Sequence, residues 1–197
     1  MTDSIRRWYE RRLGWPTTDG DPVQLLTGLR FDVLEIPAAA GREVLRRTPR
    51  TGPVAVAGRR MRLLVAAGSA EELPGLLDWL EWGGVPLDLA ALGPGGRMPA
   101  PALGGGSDGR SHRPAGREPQ EAAFWLRPPE PGRDLEPTLP VAGLGGDGGA
   151  PDLVRLVSAA ATECHRARLL EAQRIQPLAF SYASRTVAGT RPRSLTS

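Results

Sequence analysis

Between Gly93 and Ala150 the chain nearly runs out of large apolar residues, and this decides where a core can form. Gly104-Gly105-Gly106, Pro128-Pro129 and Gly145-Gly146-Asp147-Gly148-Gly149 all fall in the stretch. Such a composition buries too little surface to offset the entropy lost when the chain is ordered. Residues 101–150 are therefore expected to be mostly flexible, with a short ordered island over 122–129. The folded unit is expected to be residues 1–100, with an amphipathic helix over 151–173 and a basic disordered tail over 174–197.

Within the first hundred residues short strands and helices alternate. Tyr9–Leu13 reads as a short arginine-rich helix ended by Gly14 and Pro16. Val23–Thr27 and Phe31–Ile36 read as strands on either side of Gly28, and Ala38–Arg47 as a helix that Gly41 weakens. Pro53–Ala57 and Met61–Ala67, around Gly58-Arg59-Arg60, suggest a hairpin. Ser69–Trp82 gives the clearest helix. Ser69 is placed as its N-cap, Glu71 and Glu72 sit in its first turn, and Leu73, Leu76, Leu77 and Leu80 keep the helical period. Val85–Leu92 is a further strand or extended segment. The expected plan is α+β or α/β: a small mixed sheet with packed helices, then the Gly/Pro-rich segment and the C-terminal helix.

Composition removes several kinds of chemistry. All 25 basic residues are arginine, so Schiff-base, P-loop and general-base lysines are excluded. Cys164 is the single cysteine, which leaves no intramolecular disulfide or cysteine-cluster metal site. The longest apolar run, Leu63–Ala67, is far short of the ~20 residues of a membrane span. Met1–Arg7 has no apolar run behind it, so a cytoplasmic protein with no membrane partner is expected. The net charge of +3 is weak support for an anionic partner.

The candidate chemical groups are few. Asp32 and Glu35 lie on one strand, but three residues apart they point to opposite faces and make a poor metal pair. A further acid, Asp78 or Asp88, would have to converge with Asp32 to restore one. Arg59, Arg60 and Arg62 flank the hairpin tip and share the domain with Arg30. They form either a phosphate-facing patch or a solvated turn. Trp79 and Trp82 share a helical face and are expected in the core. His112 falls in the Gly/Ser/Arg-rich segment and His165 beside the apolar stripe of the last helix, where neither suits a rigid site. Phe124 and Trp125 either dock as an edge strand or form an exposed partner-binding motif.

Gly14-Trp15-Pro16, Gly20, Pro22, the strand Phe31-Asp32-Val33-Leu34 and the Pro53-Val54-Ala55 hairpin resemble the N-terminal half of actinobacterial bifunctional DNA primase/polymerase proteins. The resemblance implies a prim-pol fold, whose active members carry an Asp-x-Asp strand, a hairpin histidine and two-metal nucleotidyl transfer. Asp32 matches the first acidic position, Leu34 stands at the second, and the hairpin strand Arg60–Val65 has no histidine. The resemblance therefore implies a degenerate member without catalytic residues, metal or cofactor, which binds DNA or nucleotide through Arg30, Arg59, Arg60 and Arg62. Two other functions stay open. One is a protein-interaction or developmental regulatory module that uses Phe124, Trp125 and self-association through 151–173. The other is a metal-dependent nucleotidyltransferase with Asp32 and Glu35 as its metal candidates.

Overall fold

A central strand, Asp32–Pro37, has both faces covered, and the rest of the molecule is arranged around it. The computed structural model describes residues 2–102, 123–143 and 151–175. In chain order the elements are α1 (Thr2–Trp8), a turn of π-helix (Tyr9–Leu13), β1 (Gln24–Leu26), β2 (Asp32–Pro37), α2 (Ala38–Arg47), β3 (Val54–Ala57) and β4 (Arg60–Val65). They continue with α3 (Ser69–Trp79), β5 (Ala90–Leu92), β6 (Arg97–Pro99), β7 (Phe124–Arg127), a 3-10 turn (Glu136–Thr138) and α4 (Leu153–Ile175). The fold is α+β. A five-stranded antiparallel sheet runs in the order β5-β2-β4-β3-β7, and β1 pairs separately with β6.

Alternation along the strands splits the core into two layers. Leu34, Ile36, Val54, Met61, Leu63 and Val65 face α2, α3 and α4. Val33, Ala55, Leu64 and Trp125 face the N-terminal segment, the β1–β6 ribbon and the loop around the 3-10 turn. In the second layer Trp15 packs 4.7 Å from Phe31 and 6.2 Å from Trp125, centroid to centroid. The Trp of the Gly14-Trp15-Pro16 motif is thus the anchor that holds the N-terminal segment on the sheet.

The hairpin forms as expected, with Ala57 opposite Arg60 and a two-residue Gly58-Arg59 turn. Gly58 stands at φ 57, the positive angle that such tight hairpins demand of their first turn residue. Gly41, expected to weaken α2, has a packing role: a Cβ there would lie 2.2 Å from the Met61 Sδ. Its missing side chain lets α2 sit close on β4.

Several expectations are corrected. Residues 1–100 do not hold the whole folded unit. β7 completes the sheet on β3, and α4 covers the helical face with Leu153, Leu156, Val157, Ala160 and Cys164. α3 stops at Trp79 rather than running to Trp82, and its start is not capped by the Ser69 side chain. Val85–Leu92 contributes a strand only at Ala90–Leu92, and Val23–Thr27 pairs with β6 instead of joining the main sheet. Most of the Gly/Pro-rich segment, including His112, lies outside the described residues, as does the tail from residue 176. Among the described residues no helix is long and apolar enough to cross a membrane.

Candidate functional site

The two acids of β2 part company. Asp32 turns toward the helices and is fully buried. Its Oδ2 accepts hydrogen bonds from the Gly68 and Ala70 backbone N–H groups, each at 2.9 Å. Those groups open α3, so a carboxylate from a neighbouring strand does the work of an N-cap side chain and meets the positive end of the helix dipole. Asp32 Oδ1 is buried with no hydrogen-bond partner among the described residues. Glu35 lies on the other face, where it accepts from Arg60 Nε at 3.1 Å and pairs with Arg62 Nη2 at 2.6 Å. Asp88 joins this second group through Arg60 at 2.6 Å, while Asp78 sits at the far end of α3 from Asp32. The acids therefore do not converge. Among the described residues no group of three or more His, Cys, Asp or Glu side chains could hold a metal ion.

The four arginines singled out from the sequence do not form one patch. Arg60 and Arg62 are neutralised in the cluster with Glu35 and Asp88. Burial works against the Arg60 charge, but Asp88 and Glu35 outweigh it and hold the guanidinium above its ordinary pKa. Arg59 is exposed at the hairpin tip. Arg30 precedes β2 at the end opposite Arg60, and the strand spans roughly 17 Å at about 3.3 Å per residue. There it pairs with Glu136 at 2.9 Å.

The aromatic candidates also separate. Trp125 is buried; its Nε1 donates to the Tyr9 hydroxyl at 2.8 Å, which in turn donates to the Pro101 carbonyl at 2.8 Å. Burial pushes the Tyr9 phenol well above its ordinary pKa, and the Trp125 bond offsets only part of that. Trp125 is thus a core clasp rather than a partner-binding side chain, whereas Phe124 stays 46% exposed on the other face of the edge strand. Trp79 is 71% exposed, and Trp82, beyond the end of α3, packs 5.6 Å from His165. The apolar stripe of α4 through Cys164 is taken up by the core, so self-association through the whole of 151–173 would require the domain to open. Burial pushes the Cys164 thiol up to about 12, which leaves it unreactive as a nucleophile.

A cleft of about 430 Å³ opens beside Arg30. Arg12 of the π-helical turn, Arg30, Arg127 at the end of β7 and Arg133 of the following loop all line it. Glu130 and Asp134 line it as well, and Leu13, Pro53, Pro128 and Pro129 supply apolar wall. Two of the arginines are already matched, Arg133 with Glu130 at 2.9 Å and Arg30 with Glu136. Arg127 is held differently: its Nη1 donates to the Thr51 carbonyl at 3.0 Å and to the Thr51 hydroxyl at 2.6 Å. These neutral partners orient the guanidinium without cancelling its charge. Among the described residues, neither Arg12 nor Arg127 has a carboxylate partner, and Asp134 has no cationic one.

Of this constellation only Arg30 was singled out from the sequence. Arg127 adjoins the Phe124-Trp125 island, a signal that could have drawn attention to it. Arg12 and Asp134 sit in segments whose approach depends on the tertiary fold. No family model matches the chain, and no curated protein or solved structure matches it.

Proposed function

We propose that this protein works by binding a phosphate-bearing ligand, a nucleotide or nucleic acid, on a degenerate primase/polymerase-like scaffold that performs no catalysis. The observation that carries the reading is the cleft in which Arg12 and Arg127 stand without carboxylate partners among the described residues. Arginine donors in a fixed fork suit phosphate oxygens, and a cleft of this size lies within the roughly 300–1,000 Å³ usual for ligand sites. The engagement of Asp32 with α3 supports a binding role, because the acid at the first family position is committed to holding a helix.

The test is fluorescence anisotropy with a labelled single-stranded oligonucleotide and a labelled nucleotide, in EDTA and across a salt series. At least one probe is expected to bind, more weakly as salt rises, with Arg12→Ala costing about tenfold in affinity. Binding of neither probe contradicts the reading.

A second reading, a protein-interaction or regulatory module, is favoured by Trp79 at 71% exposure and by Leu169 and Leu170 on the last turns of α4 at 51% and 53%. Light scattering of the full chain tests it for self-association. A monomer at all concentrations rules out a second copy as the partner.

A further inference from the structure

The cleft is not uniformly basic, and the distribution of its charges discriminates between a polymer and a small ligand. Glu130, Asp134 and Glu136 lie on the same short stretch that supplies Arg133, next to the arginines. A polynucleotide crossing the cleft would find Arg30 and Arg133 already engaged by Glu136 and Glu130 and would bring a phosphate against the Asp134 carboxylate, a like-charge approach that opposes binding. A single phosphate group meets no such conflict, since of the arginines lining the cleft Arg12 and Arg127 have no carboxylate partner among the described residues.

The unmatched acid completes the pattern. Asp134 is exposed at the cleft and has no cationic partner among the described residues, which leaves it available to accept hydrogen bonds from hydroxyl or amino groups. Two unmatched cations, one unmatched carboxylate and a proline-rich wall ask for a ligand with an anionic end, a donor-bearing middle and a flat or apolar remainder. Resting on the phosphate-binding reading above, we infer that the cleft takes a small phosphomonoester carrying hydroxyl or amino donors, a nucleoside monophosphate or a sugar phosphate, rather than a polynucleotide. Arg12 and Arg127 take the phosphate and Asp134 takes the donors. Pro128 and Pro129 give a base something to pack against, which distinguishes the two sources.

The experiment is isothermal titration of the full chain with adenosine monophosphate, ribose 5-phosphate, inorganic phosphate and a twelve-nucleotide oligomer. Each titration is repeated on Arg12→Ala and Asp134→Asn. Both residues are exposed, and a melting curve for each variant confirms that it folds. The expected result is that a phosphomonoester binds more tightly than either phosphate or the oligomer, with Arg12→Ala costing about tenfold. Asp134→Asn should weaken the phosphomonoester several-fold and leave inorganic phosphate unchanged. Adenosine monophosphate outdoing ribose 5-phosphate assigns the apolar wall to a base; equal affinity assigns the site to a sugar phosphate. An oligomer that binds tightest, and tighter still to Asp134→Asn, overturns this inference while leaving the phosphate-binding reading intact. No binding of any probe overturns both.

Discussion

Asp32 shows how one residue's surroundings decide between a catalytic and a structural role. A fully buried carboxylate is costly unless hydrogen bonds compensate it, and here the compensation comes from two backbone N–H groups at the start of α3. Asp32→Ala leaves those two part-buried donors without their carboxylate. It is expected to lower stability by about 2 kcal/mol in urea denaturation. Tyr9 provides a second residue-scale case, since its hydroxyl links Trp125 to the Pro101 carbonyl. Its pKa is raised in the folded state, so its protonated form is favoured there. That contribution is present in full below the unfolded phenol's value of about 10 and is lost as the pH rises above it. Stability measured from pH 8 to 11 should therefore fall on the alkaline side. Tyr9→Phe should flatten that fall and cost about 1–3 kcal/mol at neutral pH, because two buried partners lose their bond.

At the scale of elements, α2 sets helix propensity against packing. Gly41→Ala improves propensity by about 1 kcal/mol, but its Cβ would fall 2.2 Å from the Sδ of buried Met61. Overpacking of this kind costs about 1–3 kcal/mol, so packing prevails and a thermal melt should show net destabilisation. Much of the element pattern was legible. The leucine period of α3 and the strand parity that separates Asp32 from Glu35 are local signals that tertiary contacts reinforce. What was not legible was long-range. The true cap of α3 comes from a strand 36 residues earlier, so Ser69, the local candidate, stood in for it. α3 ends before Trp82, which dissolves the common face assumed for Trp79 and Trp82. Trp125 joins the core through a partner 116 residues away.

For the molecule as a whole, the sheet distributes its charged groups instead of gathering them. Glu35, Arg60, Arg62 and Asp88 neutralise one another at one end of β2, and Arg12 and Arg127, without carboxylate partners among the described residues, lie in the cleft at the other. Of the cleft only Arg30 was legible, because the π-helical turn, the end of β7 and the loop beyond it meet only in the folded chain. The most direct test of a phosphate site in that cleft is an NMR titration of the arginine Nε–H signals. The isotope-labelled full chain would be titrated with adenosine monophosphate in EDTA, with assignments made from single Arg→Ala variants. The Arg12 and Arg127 signals are expected to shift saturably while those of Arg60 and Arg62 stay still. Shifts confined to Arg60 and Arg62, or no shift at any arginine, would contradict the account.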